Sequence, residues 1–347
     1  MSLISRLREA LEPIASEYHG SDIERATLSL ERLGGTMRPE LGFGERIRYA
    51  CQDIAGVSAD ANIASAFINA ANNLEIATGN SISADLGQLA TPIERMIYCL
   101  ENSTISPFDP ADILVTGWYD ASDLSTITES AGRVSLWDDI SGNGWHANQS
   151  TATLRPTSGG DINGLNAISW AGEIDDNELL TSLNQLTNVS IYYLFHAEPN
   201  GALSNNCIIN ASVTDWNDGG VFVNLENYNT DVNVHLVRYG GFSPTSYING
   251  VLGAQDHGFV PAIGSHQGSG LPTANGQYLI GRVQRNNTNR WAYKGLIGEI
   301  LICPEEHNAD TRQKVEGYLA HKWFGSGALN TLPTNHMYKN YIPYSLT

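Results

Sequence analysis

The spacing of apolar residues changes once along this chain, and that change limits the folds open to it. Before about residue 103 the apolar side chains recur at helical intervals. Leu3, Ile4, Leu7 and Leu11 form one set, Ala26, Leu28, Leu30 and Leu33 a second, and Phe43, Ile47, Ala50 and Ile54 a third. After about residue 112 they fall into short runs separated by Gly, Asn, Ser and Pro. Ser103–Pro110 lies between the regimes, with Pro107 and Pro110 breaking the helical period. A single core seldom serves 347 residues, so two domains are expected, residues 1–106 and residues 107–347.

The first region carries ordinary helix punctuation. Pro13 stops the first helix, Ser21 stands where a cap would precede the second, and Gly34-Gly35 closes it. Thr91-Pro92-Ile93-Glu94 is a helix start, with threonine as cap and proline in the first turn. A faint repeat joins Glu45-Arg46-Ile47-Arg48-Tyr49-Ala50-Cys51 to Glu94-Arg95-Met96-Ile97-Tyr98-Cys99. Chance matching of two amphipathic helices and a pair of similar helical units both account for it. His19 has no partner at metal-ligand spacing.

The second region predicts strands at Ala167–Trp170, Val189–His196, Cys207–Ala211, Gly220–Leu225, Val232–Tyr239, Tyr247–Val251, Gln277–Val283 and Leu296–Cys303. With no helices between them, an antiparallel β-sandwich is the expected class. Glu305–Trp323 then reads as one helix, with Val315, Tyr318 and Leu319 on one face. Gly325–Thr347 has no regular period and is expected to pack along this domain or against a neighbour.

The charge balance excludes some partners. The net charge of −18, with only four lysines, Lys294, Lys314, Lys322 and Lys339, argues against a phosphate-binding surface, so no nucleic-acid partner is expected. No apolar run approaches a membrane span, so no membrane insertion is expected. The start Met1-Ser2-Leu3-Ile4-Ser5-Arg6 lacks a signal-peptide pattern, which implies synthesis and retention in the cytosol, or release by a route needing no signal. Cys51, Cys99, Cys207 and Cys303 show no C-x-x-C spacing and read as buried thiols.

Three segments carry a resemblance. The stretch Gly117–Gln149 opens with Trp118-Tyr119-Asp120, passes through Arg133–Trp137 and turns at Asp138-Asp139-Ile140-Ser141-Gly142-Asn143-Gly144 into Trp145, a β-hairpin pattern. Gly164–Trp170 is the second segment. Gly298–Ile302 followed by Val315–Trp323 is the third. Together they resemble laminin-G-like, concanavalin-A-type jelly-roll domains of bacterial surface proteins and phage virion proteins, over residues ~110–325. The resemblance implies a mainly β protein: an antiparallel jelly roll, a small all-α N-terminal domain and a C-terminal helix.

For function it implies a non-enzymatic structural protein of a tailed-phage virion, made in the host cytoplasm and lodged in the particle as a capsid decoration, head fibre, tail fibre or baseplate component. Residues 1–106 would attach to other virion proteins, the chain would form a homo-oligomer, and the displayed domain would touch host-surface glycans. The expected glycan contact is the turn Asp215-Trp216-Asn217-Asp218, where an aromatic ring can stack on a sugar face while the short polar residues bond hydroxyls. Core packing is the competing role for the nearby aromatics.

Two other chemistries fit parts of the sequence. Glu173, Asp175 and Glu178 fit the E-x-D-x-x-E spacing of retaining β-glucanases. Such an enzyme needs Glu173 and Glu178 about 5 Å apart as nucleophile and acid/base, and Asp176 and Asn177 would put polar groups into its core. That is the enzymatic alternative; a bacterial glycan-binding adhesin is the other. Asp138 and Asp139 could offer oxygens to Ca²⁺, but an Asx-stabilised hairpin turn explains them better. No catalytic set, metal or cofactor is expected. The chain has no HExxH, phosphate loop or Ser/His/Asp order.

Overall fold

The computed structural model describes residues 3–11, 14, 21–34, 38–55, 63–78, 91–103, 105–171, 177–198, 205–211, 221–228, 231–238, 245–253, 259–270, 276–283, 291–325, 331–339 and 342–346. They fall into two compact units: Met1–Asp112 with Asn335–Thr347, and Ile113–Thr334.

The first unit is helical. It contains α1 (Leu3–Ala10), α2 (Asp22–Gly34), α3 (Phe43–Ala55), α4 (Ile63–Thr78) and α5 (Pro92–Glu101). Their apolar stripes meet in a core of Leu7, Leu11, Leu30, Ile47, Leu74, Met96, Ile97 and Leu100, among others. Thr91 caps α5 through a reciprocal box. Its hydroxyl accepts from Glu94 N at 3.3 Å, and Glu94 Oε2 accepts from Thr91 N at 2.8 Å.

The faint repeat has a structural counterpart in this unit. In α3, Arg46 forks onto Glu31 of α2 with bonds of 2.9 and 2.6 Å. In α5, Arg95 forks in the same way onto Glu75 of α4. Ala26-x-x-x-Leu30-Glu31 and Ala70-x-x-x-Leu74-Glu75 match in residue type, and the alanines and leucines are buried in both.

A short sheet completes the unit. β1 (Ile105–Pro107) pairs antiparallel with β20 (Tyr344–Leu346), and Phe108 N donates to Pro343 O at 2.8 Å. The change of apolar spacing predicts one domain for all of residues 107–347. The contacts instead group Asn335–Thr347 with the helices. The physical reason is this three-residue ladder, together with Tyr344, which packs against the helical core. Residues 113–334 are therefore an insertion within the first unit.

The second unit is mainly β. In chain order it has β2 (Gly117–Asp120), β3 (Ile127–Ser130), β4 (Arg133–Trp137), β5 (Ala147–Asn148), β6 (Thr157–Ile162), β7 (Leu165–Ala171) and β8 (Leu179–Asn184). Then come β9 (Val189–Ala197), β10 (Asn205–Asn210), β11 (Val221–Tyr228), β12 (Asp231–Arg238), β13 (Thr245–Ile248) and β14 (Val251–Leu252). β15 (Ala262–Gly268), β16 (Gln277–Ile280), β17 (Arg282–Val283), β18 (Trp291–Ala292) and β19 (Lys294–Cys303) follow, and α6 (Ala309–Phe324) ends the series. The described strands order as β12-β11-β10-β16-β8-β5-β4-β6-β7-β19-β9-β15-β13-β14, with β2 also on β19 and β3 also on β4. β17 and β18 pair with each other.

β19 is the central element. β9 runs along one edge. The other edge is shared, β7 pairing with Lys294–Ile297 and β2 with Glu299–Ile302. Tyr119, Trp137, Trp170, Tyr193, Phe195, Ile297, Ile300 and Ile302 fill the core around it. Glycine is required where aromatics lie flat on the backbone: a Cβ on Gly264 would fall 2.1 Å from Tyr193 Cζ. Gly281, at φ +91°, leaves the same kind of room for the Trp170 indole.

Several strands depart from the sequence expectation, β8 and β15 among the longest of them. β8 and β15 were not among the expected strands. β15 is buried along its whole length although it reads Ala-Ile-Gly-Ser-His-Gln-Gly. Its polar side chains are each satisfied. His266 joins Tyr193 OH at 2.6 Å and Ser246 Oγ at 2.9 Å. Ser265 Oγ donates to Glu316 at 2.5 Å, and Gln267 Nε2 to His307 O at 2.7 Å. Burial holds the His266 imidazole down at about 3, so the ring is neutral. The final helix starts later than expected, at Ala309, because the Asn308 side chain accepts from Thr311 N at 2.9 Å and caps it there.

Candidate functional site

The turn chosen for glycan contact, Asp215, Trp216, Asn217 and Asp218, lies outside the described residues, as do Glu173 and Asp175 of the enzymatic alternative. Glu178 is described, just before β8. Gln149 Nε2 donates to its Oε1 at 2.9 Å, and the buried Arg282 guanidinium pairs with its Oε2. Both oxygens are thus engaged inside the unit. Asn177 beside it is buried and bridges two backbones, accepting from Ala171 N at 3.1 Å and donating to Arg155 O at 3.0 Å.

The Asp138-Asp139 turn is held by hydrogen bonds of its own. Asp139 Oδ1 accepts from Trp118 N and Ser141 N, each at 2.9 Å. Its Oδ2 accepts from Trp145 N and Ser141 Oγ, also at 2.9 Å. This is an Asx-type turn with the carboxylate saturated by four donors. Among the described residues no group of three or more His, Cys, Asp or Glu is placed to hold a metal ion.

The most concentrated chemistry sits where Gly117–Asp120 meets Gly298–Ile302 and the end of α6. Glu299 in β19 is fully buried, and its cross-strand partner in β2 is Asp120. Two carboxylates opposite one another repel. Lys322 of α6 resolves this by placing Nζ 2.6 Å from Asp120 Oδ2 and 2.7 Å from Glu299 Oε2. A third bond from Nζ reaches Tyr318 OH at 3.2 Å, one helical turn back.

The remaining Glu299 acceptor positions are filled from both flanks. Trp118 Nε1 donates to Oε1 at 2.8 Å and Tyr318 OH at 3.0 Å, while Trp323 Nε1 donates to Oε2 at 2.8 Å. Asp120 Oδ1 accepts from Ser122 N at 2.9 Å and Ser122 Oγ at 2.6 Å. Burial pushes the Glu299 carboxyl above its ordinary value, Lys322 pulls it down, and Asp120 adds to the rise. The local sequence explains the placement. Trp118 and Asp120 are two apart on β2 and so share a face, and Tyr318 and Lys322 are four apart on α6 and do likewise. Tyr119, between the first pair, points the other way and packs on Trp137 at 5.7 Å. The sequence reading quoted these segments for fold alone and missed the constellation. The signal was there: tryptophan, acid and lysine inside otherwise apolar strand and helix faces.

A second buried group ties α6 to β15 and β13. Arg312 donates to Glu316 at 2.6 Å and lies 3.7 Å above the Tyr247 ring. Tyr192 OH meets His307 Nδ1 at 2.8 Å.

No family model matches the chain, and no curated protein sequence matches it. Among solved structures it is similar to a mutant of Trypanosoma rangeli sialidase displaying trans-sialidase activity, at 12 % identity with a TM-score of 0.29. That match covers 58 % of this chain and 32 % of the sialidase, so the chain spans about a third of that protein. A likeness at that score carries no argument about fold or activity.

Proposed function

We propose that the second unit is a concanavalin-A-like, laminin-G-like jelly roll, and that the protein is a non-enzymatic structural component of a tailed-phage virion. It serves there as a head decoration or fibre, or in the tail, with the helical unit attached to other virion proteins and the β unit displayed. The observation that carries this reading is the insertion of residues 113–334 between the two parts of the helical unit, closed off by the β1–β20 ladder. An inserted module returns its chain to the base it left, which suits display from an anchored unit. The convergence of Trp118, Asp120, Glu299, Lys322 and Trp323 supports the jelly-roll part, since these residues come from the segments that carry the resemblance. The engagement of Glu178 by Arg282 and Gln149 favours this reading over the glycosidase alternative.

Host glycans are the proposed ligands of the displayed unit, at Trp216 with Asp215, Asn217 and Asp218. Stacking one indole on a sugar removes apolar area worth only about 25 cal/mol per Å², so adhesion rests on many copies per particle. The test has two arms. Mass spectrometry and antibody labelling of gradient-purified particles from the source should find the full chain with the β unit outside; absence from particles ends the virion reading. The protein immobilised densely on a glycan array should bind, and Trp216→Ala should abolish binding. Binding unchanged by Trp216→Ala moves the site elsewhere, and a blank array leaves an architectural role alone.

A further inference from the structure

We propose that Lys322, Asp120 and Glu299 are the nucleophile, acceptor and proton relay of a self-formed isopeptide cross-link, an amide joining Lys322 Nζ to Asp120 Cγ. This goes beyond the virion reading and does not depend on it.

The geometry supplies each part of the reaction. The amine nitrogen already touches the acceptor carboxylate, at 2.6 Å from Oδ2. The fold holds the two groups together, so the high effective concentration that amide formation needs is built in. Glu299 is fully buried and 2.7 Å from the same nitrogen. Ser122 N and Ser122 Oγ donate to the other acceptor oxygen, Oδ1, at 2.9 and 2.6 Å, where charge develops when the carbon becomes tetrahedral. Indole and phenol side chains of Trp118, Tyr318 and Trp323 enclose the group and orient Glu299.

The steps balance. One proton passes from the Lys322 ammonium to Asp120 Oδ2, giving amine and carboxylic acid. Nζ attacks Cγ and the N–C bond forms, with the negative charge on Oδ1 held by Ser122. Glu299 takes a second proton from Nζ and delivers it to the Oδ2 hydroxyl, which leaves as water when the C–O bond breaks. The ammonium has lost two protons, both now in that water, and one stays on the amide. Ammonium plus carboxylate has become amide plus water, Glu299 is regenerated, and no oxidant or activated co-reactant takes part. The raised pKa of the buried Glu299 makes it a better base for this role than an exposed glutamate.

The experiment is intact-mass measurement of the folded full-length protein, followed by protease digestion and fragment sequencing. The expected result is a mass one water below the sequence value. A branched peptide should join the segments holding residues 120 and 322, and trypsin should no longer cut after Lys322. Lys322→Arg, which keeps a cation, should show the full sequence mass with an unchanged near-ultraviolet circular dichroism spectrum. Glu299→Gln should also show the full mass. Asp120→Asn should still cross-link but lose ammonia instead of water. Wild-type protein that keeps its full mass after prolonged incubation overturns the proposal. A lost water that maps elsewhere, for example to a succinimide at Asp218-Gly219, does so too. A cross-link that forms at the wild-type rate in Glu299→Gln removes Glu299 from the mechanism.

Discussion

Glu31 in the helical unit and Glu299 in the β unit are both completely buried, as is Glu316, and the first two are neutralised differently. In the helical unit Glu31 meets a single guanidinium. Arg46 delivers two parallel bonds, and Arg38 N adds a third at 3.1 Å. In the β unit Glu299 and Asp120 share one ammonium, and the excess negative charge is spread over the donors of Trp118, Tyr318 and Trp323. Arginine suits the first case because its planar fork matches one carboxylate. Lysine suits the second because a compact ammonium with three rotatable donors can bridge groups on different elements. The comparison teaches that a single buried carboxylate is closed by a matching fork, whereas two carboxylates sharing one site take a point charge and added donors.

Removing the shared cation should have the largest effect. Lys322→Met leaves two facing buried carboxylates, or removes their amide, and should cost the β unit about 3–5 kcal/mol. Urea unfolding followed by tryptophan fluorescence would report this directly, since Trp118 and Trp323 lie on the cluster. A cost below about 1 kcal/mol would mean that the indole and phenol donors suffice alone.

The matching change in the helical unit should be smaller. Arg46→Met should cost about 2–3 kcal/mol, because Arg38 N still donates to Glu31. Arg46→Lys, which keeps the charge and loses the fork, should cost about 1–2 kcal/mol. Far-ultraviolet circular dichroism during thermal unfolding reads both. Equal losses for the two variants would show that charge matters at Glu31 and the planar fork does not.

The smallest effect concerns pH. Burial raises Glu299 above its ordinary 4.5, so the folded protein takes up this proton before the unfolded chain does. Its contribution to stability therefore falls as pH rises through the window above 4.5. Subtracting the stability-against-pH curve of Glu299→Gln from that of the wild type should leave that downward slope. A flat difference would mean that the four donors cancel the cost of burial.

The same contrast explains what could be read in advance. The Glu31–Arg46 and Glu75–Arg95 pairs join neighbouring helices, and only the arginine half of each was visible in advance, in the repeat of α3 and α5. β9 and β19 were legible as apolar runs of strand length. β15 was not, because Ser265, His266 and Gln267 look solvent-exposed until their partners on β9, α6 and the Glu305–Asn308 approach are known. β20 was missed because a three-residue strand has no measurable period, and its partner lies more than 200 residues earlier in the chain.

The sequence by itself determined the change from helical to β patterning and the cap at Thr91. These depend on backbone preferences and on residues a few positions apart. Only the tertiary structure decided that the last residues return to the helical unit, that Glu178 belongs to Arg282, and that Asp120, Glu299 and Lys322 share one buried site. Those three outcomes depend on which distant segments become neighbours. The energy of a buried charge is set by the groups within hydrogen-bonding reach of it, and the linear order of residues does not specify those.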